Sequence, residues 1–279
     1  MRICPDCEQT FGDDVRRCPK DGSPTVSLPD KPLEKLVGAS LDGRWRIGRL
    51  LGEGGMGAVF EGRQINLDRP VAIKILQPEL AQRDLIIARF MREARVMSAL
   101  RHPHIVTILD FGRDEVHGLL YLVMELLEGQ PLNVWLQRNR PSYQQVLDIL
   151  EQTARALTCA HENAVIHRDL KPHNIFLTPM GASFHLKVLD FGIAKLQAPD
   201  ASTLTNTGDI QGTPHYMAPE QISADPIVPQ TDLYALGVML YELITGRVPF
   251  EAPSALPIFF KHCHEPPPPI EGRWSLEVP

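Results

Sequence analysis

Five short motifs, in one order, constrain this chain more than anything else in it. They are G-E-G-G-M-G-A-V at 52–59, V-A-I-K at 71–74, H-R-D-L-K-P-H-N at 167–174, D-F-G at 190–192 and A-P-E at 218–220. A glycine-spaced loop alone says little, because tight turns and many nucleotide loops share it. Five motifs in sequence across about 170 residues leave almost no room for chance. They also dictate local shape. The glycine run lies between two β-rich stretches and reads as a hairpin with a bare backbone. Lys74 ends a run of small and β-branched residues, so it projects from a strand.

Bulk properties narrow the class further. At 279 residues the chain can bury substantial cores, and more than one. With 43% hydrophobic and 22% charged residues, its composition is that of a soluble globular protein. A net charge of −6 gives no electrostatic case for nucleic acid or an anionic membrane. No apolar run approaches the roughly 20 residues of a spanning helix. The start, M-R-I-C-P-D-C, lacks the apolar centre of a signal peptide. A cytoplasmic protein is expected, with no nucleic acid among its partners and no membrane segment.

Residues 1–24 form a small cysteine-containing module, and 25–40, rich in proline and charge, read as a linker. Strands dominate from 41 onwards, at 46–51, 58–63, 71–76, 104–111 and 119–126. One helix interrupts them at 84–100, where Phe90, Ala94, Met97 and Leu100 recur at steps of three and four. Residues 41–127 are thus a five-stranded antiparallel lobe with one helix. Over 128–279 the pattern is mainly helical. Val146, Ile149, Leu150, Ala156, Leu157 and Ala160 form one stripe within 142–163, and 232–245 is apolar nearly all round, as a central helix is. The prolines at 266–269 read as a loop. The fold class is α+β: two unlike lobes behind a small module.

The motif set resembles the Hanks-type (eukaryotic-like) serine/threonine protein kinases, and the L-G-E-G-G-M-G wording at 51–57 is similar to bacterial members. The likeness covers 41–279 and leaves out the first 40 residues. It implies a bilobal enzyme that moves the γ-phosphate of ATP to serine or threonine hydroxyls of proteins, with Mg2+ or Mn2+ as cofactor. It implies that Leu51, Gly52, Glu53, Gly54, Gly55, Met56, Gly57, Ala58 and Val59 cover the nucleotide. Backbone N–H groups of the glycines would meet the phosphates where a Cβ would intrude. Val59 and Ala72 would hold the adenine from above, and Phe176 or its neighbours from below. Lys74 would reach the α- and β-phosphates, with Glu93 as its anionic partner. Met97 would stack with Ile108, Phe191 and His167. Met124 takes the gatekeeper position, and Glu125 to Leu127 would present backbone groups to the adenine. Asp169 is the candidate catalytic base, and Lys171 would neutralise the migrating phosphoryl group. Asn174 and Asp190 would be hard oxygen ligands of the cation. His167 reads as a packed structural histidine. Asp232 would hold the backbone of the catalytic loop, since a buried carboxylate without partners is costly.

By the same likeness, 193–217 is the activation loop. Thr213, in G-T-P, would bond the catalytic aspartate and shape the pocket for the residue after the target. Thr205 and Thr207 resemble autophosphorylated threonines, with Arg168, Lys195 and Arg89 placed to receive the phosphate. Self-association for that reaction is a further expectation. The alternative class is a binding scaffold without turnover, opposed by the intact Lys74, Asp169, Asn174 and Asp190. A small-molecule kinase is disfavoured by G-T-P and A-P-E, which build a peptide-docking surface. The chain departs from the pattern near Pro279. No arginine follows Arg273 and Trp274 to pair with Glu220, so the large lobe is expected to be C-terminally incomplete and Glu220 to lack its partner.

The five cysteines are unevenly spread. An odd count in a reducing compartment argues against a disulfide framework. Cys159, on an apolar helix face, reads as a small buried hydrophobe. Cys4, Cys7 and Cys18 have the spacing and flanking prolines of a zinc ribbon. Asp21 stands where a fourth cysteine is expected, and zinc accepts a carboxylate oxygen, so a Cys3Asp site holding Zn2+ is feasible. Water or a partner's side chain are alternative fourth ligands. A ribbon without metal and a redox role are the alternatives to zinc.

Overall fold

The computed structural model describes residues 2–4, 7, 9–11, 14–27, 33–54, 57–78, 81, 84–181, 183–191 and 214–270. The chain opens with three two-residue strands, β1 (Arg2–Ile3), β2 (Thr10–Phe11) and β3 (Val26–Ser27), in an antiparallel sheet of order β2-β1-β3. Pairing of β1 with both neighbours brings Cys4 beside the turn that carries Cys18 and Asp21.

Six strands make the larger sheet. They are β4 (Ser40–Leu41), β5 (Trp45–Gly54), β6 (Gly57–Gln64), β7 (Arg69–Leu76), β8 (Ile108–Asp114) and β9 (Leu119–Glu125). All pairs are antiparallel and the order is β4-β5-β6-β7-β9-β8. The five expected strands are present, and β4 is an addition. Asp42 and Gly43, both at positive φ (47° and 64°), turn it back onto β5 as a tight hairpin requires. Strand alternation then sorts the core. Val71, Ile73 and Ile75 share one face with Trp45, Ile47, Phe60 and Val123. Ala72 and Leu76 belong to the cluster containing α1 (Asp84–Ala99), through its Ile86, Phe90, Ala94 and Met97. With both faces covered, V-A-I-K-I-L is buried from Val71 to Leu76.

The span read as a linker, 25–40, is engaged at both described ends. β3 completes the first sheet, and Leu33, Leu36 and Ala39 pack on the Phe60 face of the second. Burying a leucine there contributes about 1.5–3 kcal/mol, reason enough for the segment to lie down. The β8 register also differs from the expected 104–111. His104 and Val106 bond Val188 instead, through Val188 N–H to His104 O (2.9 Å) and Val106 N–H to Val188 O (3.1 Å), which ties the two lobes together.

The large lobe contains β10 (Gln130–Pro131), α2 (Leu132–Arg138), α3 (Tyr143–Glu162), β11 (Ile175–Met180), β12 (Ser183–Val188), α4 (Pro219–Ile222), α5 (Pro229–Thr245) and α6 (Ala255–His264). α3 starts at a capping box, with Gln145 N–H donating to Ser142 Oγ and Ser142 N–H to Gln145 Oε1. Its Val146, Ile149, Ala156, Leu157 and Ala160 are buried. Cys159 is half-buried and packs against this cluster rather than within it. α5 begins at Pro229, ahead of the expected 232, because proline's missing N–H is no loss in a first turn. It ends at Gly246 in the left-handed conformation.

Candidate active site

β7 carries Lys74 from the small lobe into the space between the lobes, where Nζ meets Asp190 Oδ1 at 2.7 Å. Asp190 holds φ 53°, a conformation that non-glycine residues rarely take and that clusters at functional sites. Burial pushes the Asp190 carboxyl up. The Lys74 ammonium bonded to it and the nearby Lys171 outweigh that and hold it below the usual carboxylate range. The expected Lys74–Glu93 pair is not formed. Glu93 Oε2 is buried and has no hydrogen-bond partner among the described residues. Burial raises its pKa against the opposing charges of Arg168, Arg89 and Arg92. With Asp190 already on Lys74, the ammonium has its counter-ion, and Glu93 faces arginine charge instead.

The loop 167–174 converges on the same place. Lys171 Nζ lies 2.8 Å from Asp169 Oδ2. Asn174 Nδ2 donates to Asp169 O at 2.8 Å and to Oδ2 at 3.3 Å. Leu189 N–H donates to Asn174 O at 2.8 Å, which binds this loop to the strand end bearing Asp190. Asp232 on α5 is 1% exposed, and three donors surround it. His167 N–H and Arg168 N–H each lie 2.8 Å from it, and His161 Nε2 lies at 2.7 Å. His167 is fully buried. Its Nδ1 accepts Asp169 N–H, which leaves Nε2–H to donate to Leu189 O at 2.8 Å. Both ring nitrogens are therefore committed to structure. The His167 ring packs on Phe191, with centroids 4.6 Å apart. Met97 and Ile108 lie in the same apolar cluster as Phe191.

Above the cleft, the β5–β6 hairpin pairs Gly52 with Val59, Glu53 with Ala58 and Gly54 with Gly57. Its glycines serve two purposes. A Cβ on Gly52 or Gly54 would meet nothing within 4 Å, so those positions keep space open. A Cβ on Gly57, at φ 149°, would come within 2.0 Å of Ile75 O, so this glycine permits close packing of β6 on β7. Leu51 is 42% exposed, Ala58 is fully buried, and Val59 is half-buried. Ala72 pairs with Met124, which is 8% exposed at the end of β9. Phe176, half-buried on β11, pairs with Pro131 and Lys187, and Leu127 is half-buried in the connection between the lobes.

Gly55, Met56, Gly192, Lys195, Thr205, Thr207, Gly212, Thr213, Arg273 and Trp274 lie outside the described residues. Glu220 has a partner after all, since the Thr231 hydroxyl donates to its Oε1. The ligand atoms of Cys4, Cys7, Cys18 and Asp21 come together within 4.8 Å.

Two contributors escaped the sequence reading. Glu125 is expected to present backbone groups to the adenine; its carboxylate has a further part, accepting from Thr107 N–H at 2.7 Å and Lys187 Nζ at 2.8 Å. Gln221 spans from Ala218 N–H to Arg168 O, holding A-P-E against the catalytic loop. Neither Lys187 nor Gln221 belongs to one of the five motifs; each becomes visible only when distant segments meet.

A protein kinase domain model matches residues 45–270. The serine/threonine-protein kinase PknA of Mycobacterium tuberculosis is 46% identical over 242 residues, covering 85% of this chain and 55% of that protein. Pkn3 of Myxococcus xanthus is 44% identical over 258 residues, covering 91% of this chain and 47% of that protein. PrkC of Bacillus subtilis is 42% identical over 245 residues, 88% of this chain and 37% of that protein. The chain therefore spans about half the length, or less, of these curated relatives. The crystal structure of the Mycobacterium tuberculosis PknI kinase domain superposes with a TM-score of 0.63 at 28% identity, covering 79% of this chain and 82% of that one. With the motif order, the two lobes and these likenesses in agreement, the chain belongs to the protein kinase family, among the bacterial Hanks-type serine/threonine kinases.

Proposed function

We propose that this chain transfers the γ-phosphoryl group of ATP to serine or threonine hydroxyls of protein substrates. The observation that carries the reading is the convergence of Lys74 and Asp190 with the Asp169, Lys171 and Asn174 group between the two lobes. Phosphoryl transfer demands positioning and charge neutralisation more than covalent work, and this set supplies both. Asp169 orients the substrate hydroxyl and accepts its proton; Lys171, beside it, counters charge on the transferring group. Lys74 holds the α- and β-phosphates once it leaves Asp190. Asn174 and Asp190 are the residues that would hold Mg2+ or Mn2+, oxygen donors suited to hard cations. When bound, the cation neutralises phosphate charge. The hairpin from Leu51 to Val59, with Ala72, Met124, Glu125, Leu127 and Phe176, encloses the nucleotide, and Glu93 is the second anion that would pair with Lys74.

Autophosphorylation at Thr205 and Thr207, in a self-associated pair, belongs to the same reading, as does Thr213 as a substrate-side contact. Cys4, Cys7 and Cys18 hold a structural zinc with no part in the transfer.

The test is incubation of the chain with radiolabelled ATP, magnesium and a generic basic protein. Label is expected on serine and threonine of the acceptor and of the chain, and Asp169→Asn is expected to reduce it by about 10²–10⁴-fold. Nucleotide binding without transfer to either would leave a binding scaffold in place of an enzyme.

A further inference from the structure

Resting on the zinc reading of the cysteine module, we propose that the site is mononuclear, that Asp21 Oδ2 is its fourth ligand, and that Asp21 is the corner at which the metal exchanges. The spacing sets the nuclearity. Cys7 Sγ and Cys18 Sγ are 3.5 Å apart, and Cys4 Sγ lies 3.3 Å from Asp21 Oδ2. Zinc bonds of about 2.3 Å to sulfur and about 2.0–2.2 Å to oxygen give tetrahedral edges of roughly 3.8 Å and 3.5 Å. All four ligand atoms lie within 4.8 Å of one another, a spread that a small inward movement closes onto one ion. A multi-iron cluster distributes its thiolates over several metals and needs a wider frame.

The carboxylate is aimed. Ser23 N–H donates to Asp21 Oδ1 at 3.0 Å, and Cys4 Sγ lies 3.5 Å from Oδ1 and 3.3 Å from Oδ2, so Oδ2 is the nearer oxygen and the one without a backbone donor. Gly22, at φ 76°, lets the chain return, with Gly22 N–H donating to Cys18 O at 2.9 Å and Cys18 N–H to Ser23 O at 2.8 Å. Lys20 N–H points at Cys18 Sγ from 3.4 Å, an outer contact of the kind that stabilises a bound thiolate.

A separate observation concerns what holds residues 2–27 together. Among the described residues there, the buried side chains are Cys4, Cys18 and Thr25, and neither apolar cluster reaches below Leu33. Two of the ligands occupy the place of a core, so cohesion comes from the ion. Asp21 is the exposed member of the four. A carboxylate oxygen is harder than a thiolate and holds zinc less firmly, and solvent reaches this corner first.

In the experiment, the full chain is stripped with a chelator and titrated with Zn2+ against a chromophoric competitor, and with Co2+ followed by its visible bands. One metal per chain and the spectrum of tetrahedral cobalt with thiolate ligands are expected. Asp21→Ala is expected to raise the zinc dissociation constant by at least about tenfold and speed release to the competitor. Asp21→Cys is expected to lower the constant and slow release. A wild-type chain that takes no zinc, or carries an iron–sulfur chromophore, overturns the zinc reading and Asp21's role together. Zinc bound equally well by wild type and Asp21→Ala keeps the metal and removes Asp21 as its ligand. If Asp21→Ala does not fold, Asp21→Cys still decides: slower release supports the proposal, and unchanged release overturns it.

Discussion

Asp232 shows how much a single buried side chain can organise. Its carboxylate accepts from the backbone N–H of His167 and of Arg168, and Arg168 holds φ 68°, so the loop's strained path is fixed from below. Asp232→Asn keeps the volume but offers one acceptor oxygen where the loop needs two. At least one buried N–H then loses its partner, at a cost of about 1–3 kcal/mol. Urea unfolding measures that loss, and kcat should fall with KM for ATP less affected, because the loop bears Asp169 rather than the nucleotide contacts. Unchanged stability would mean that water replaces the carboxylate. The resemblance implied this role, and the cost of burying a carboxylate without partners in an apolar helix agreed with it. The Glu125–Lys187 pair was not, since both residues sit among ordinary strand sequence and meet only when β12 comes to lie beside the end of β9. The Lys74–Asp190 pair was not legible for a related reason: Glu93 and Asp190 are both plausible anions by type, and in this structure the packing of the lobes brings Lys74 to Asp190.

Strands and helices were the most readable level, because V-A-I-K-I-L is a continuous run rich in small and β-branched residues and the stripe from Val146 to Ala160 repeats with the helical period over enough residues. The two-residue strands were not, as β1 to β4 are too short to show any period, and long-range pairing alone defines them. The glycine hairpin was readable as an element, but its glycines cannot be ranked from spacing. Their surroundings rank them. Gly57→Ala forces a Cβ against Ile75 O and an unfavourable φ, so β6 must shift from β7, destabilising the fold by about 1–3 kcal/mol. Gly52→Ala adds a methyl group to open space, and stability should stay within about 0.5 kcal/mol. Its effect should instead be a raised KM for ATP, the methyl group occupying room meant for phosphate. Thermal unfolding beside ATP kinetics separates the two. Equal destabilisation by both variants would show that the hairpin's glycines serve its turn and leave the nucleotide out of it.

At the scale of the molecule, the Lys74–Asp190 pair is an ionic link between the two lobes, and its pH dependence has a definite sign. Asp190's folded pKa is lowered by Lys74 against burial. Its contribution is thus fully present above the ordinary aspartate value of about 3.9 and is lost as pH falls through the lowered folded value. In Lys74→Met the chain length is kept and the ammonium removed. Burial then acts with less opposition and the Asp190 pKa rises, so stability falls as pH climbs past the ordinary aspartate value. The two stability curves should therefore converge in acid and separate toward neutrality. Breaking a fully buried pair costs about 3–5 kcal/mol. The Asp190 side chain retains 29% exposure, so a gap of about 1–3 kcal/mol at pH 7 is expected once water screens the orphaned charge. Urea unfolding of both proteins from pH 3 to pH 7 measures it. Parallel curves would mean that the lobes are held by the apolar cluster and the Val188 backbone bonds alone, with the ion pair free to open for a nucleotide at no cost to the fold.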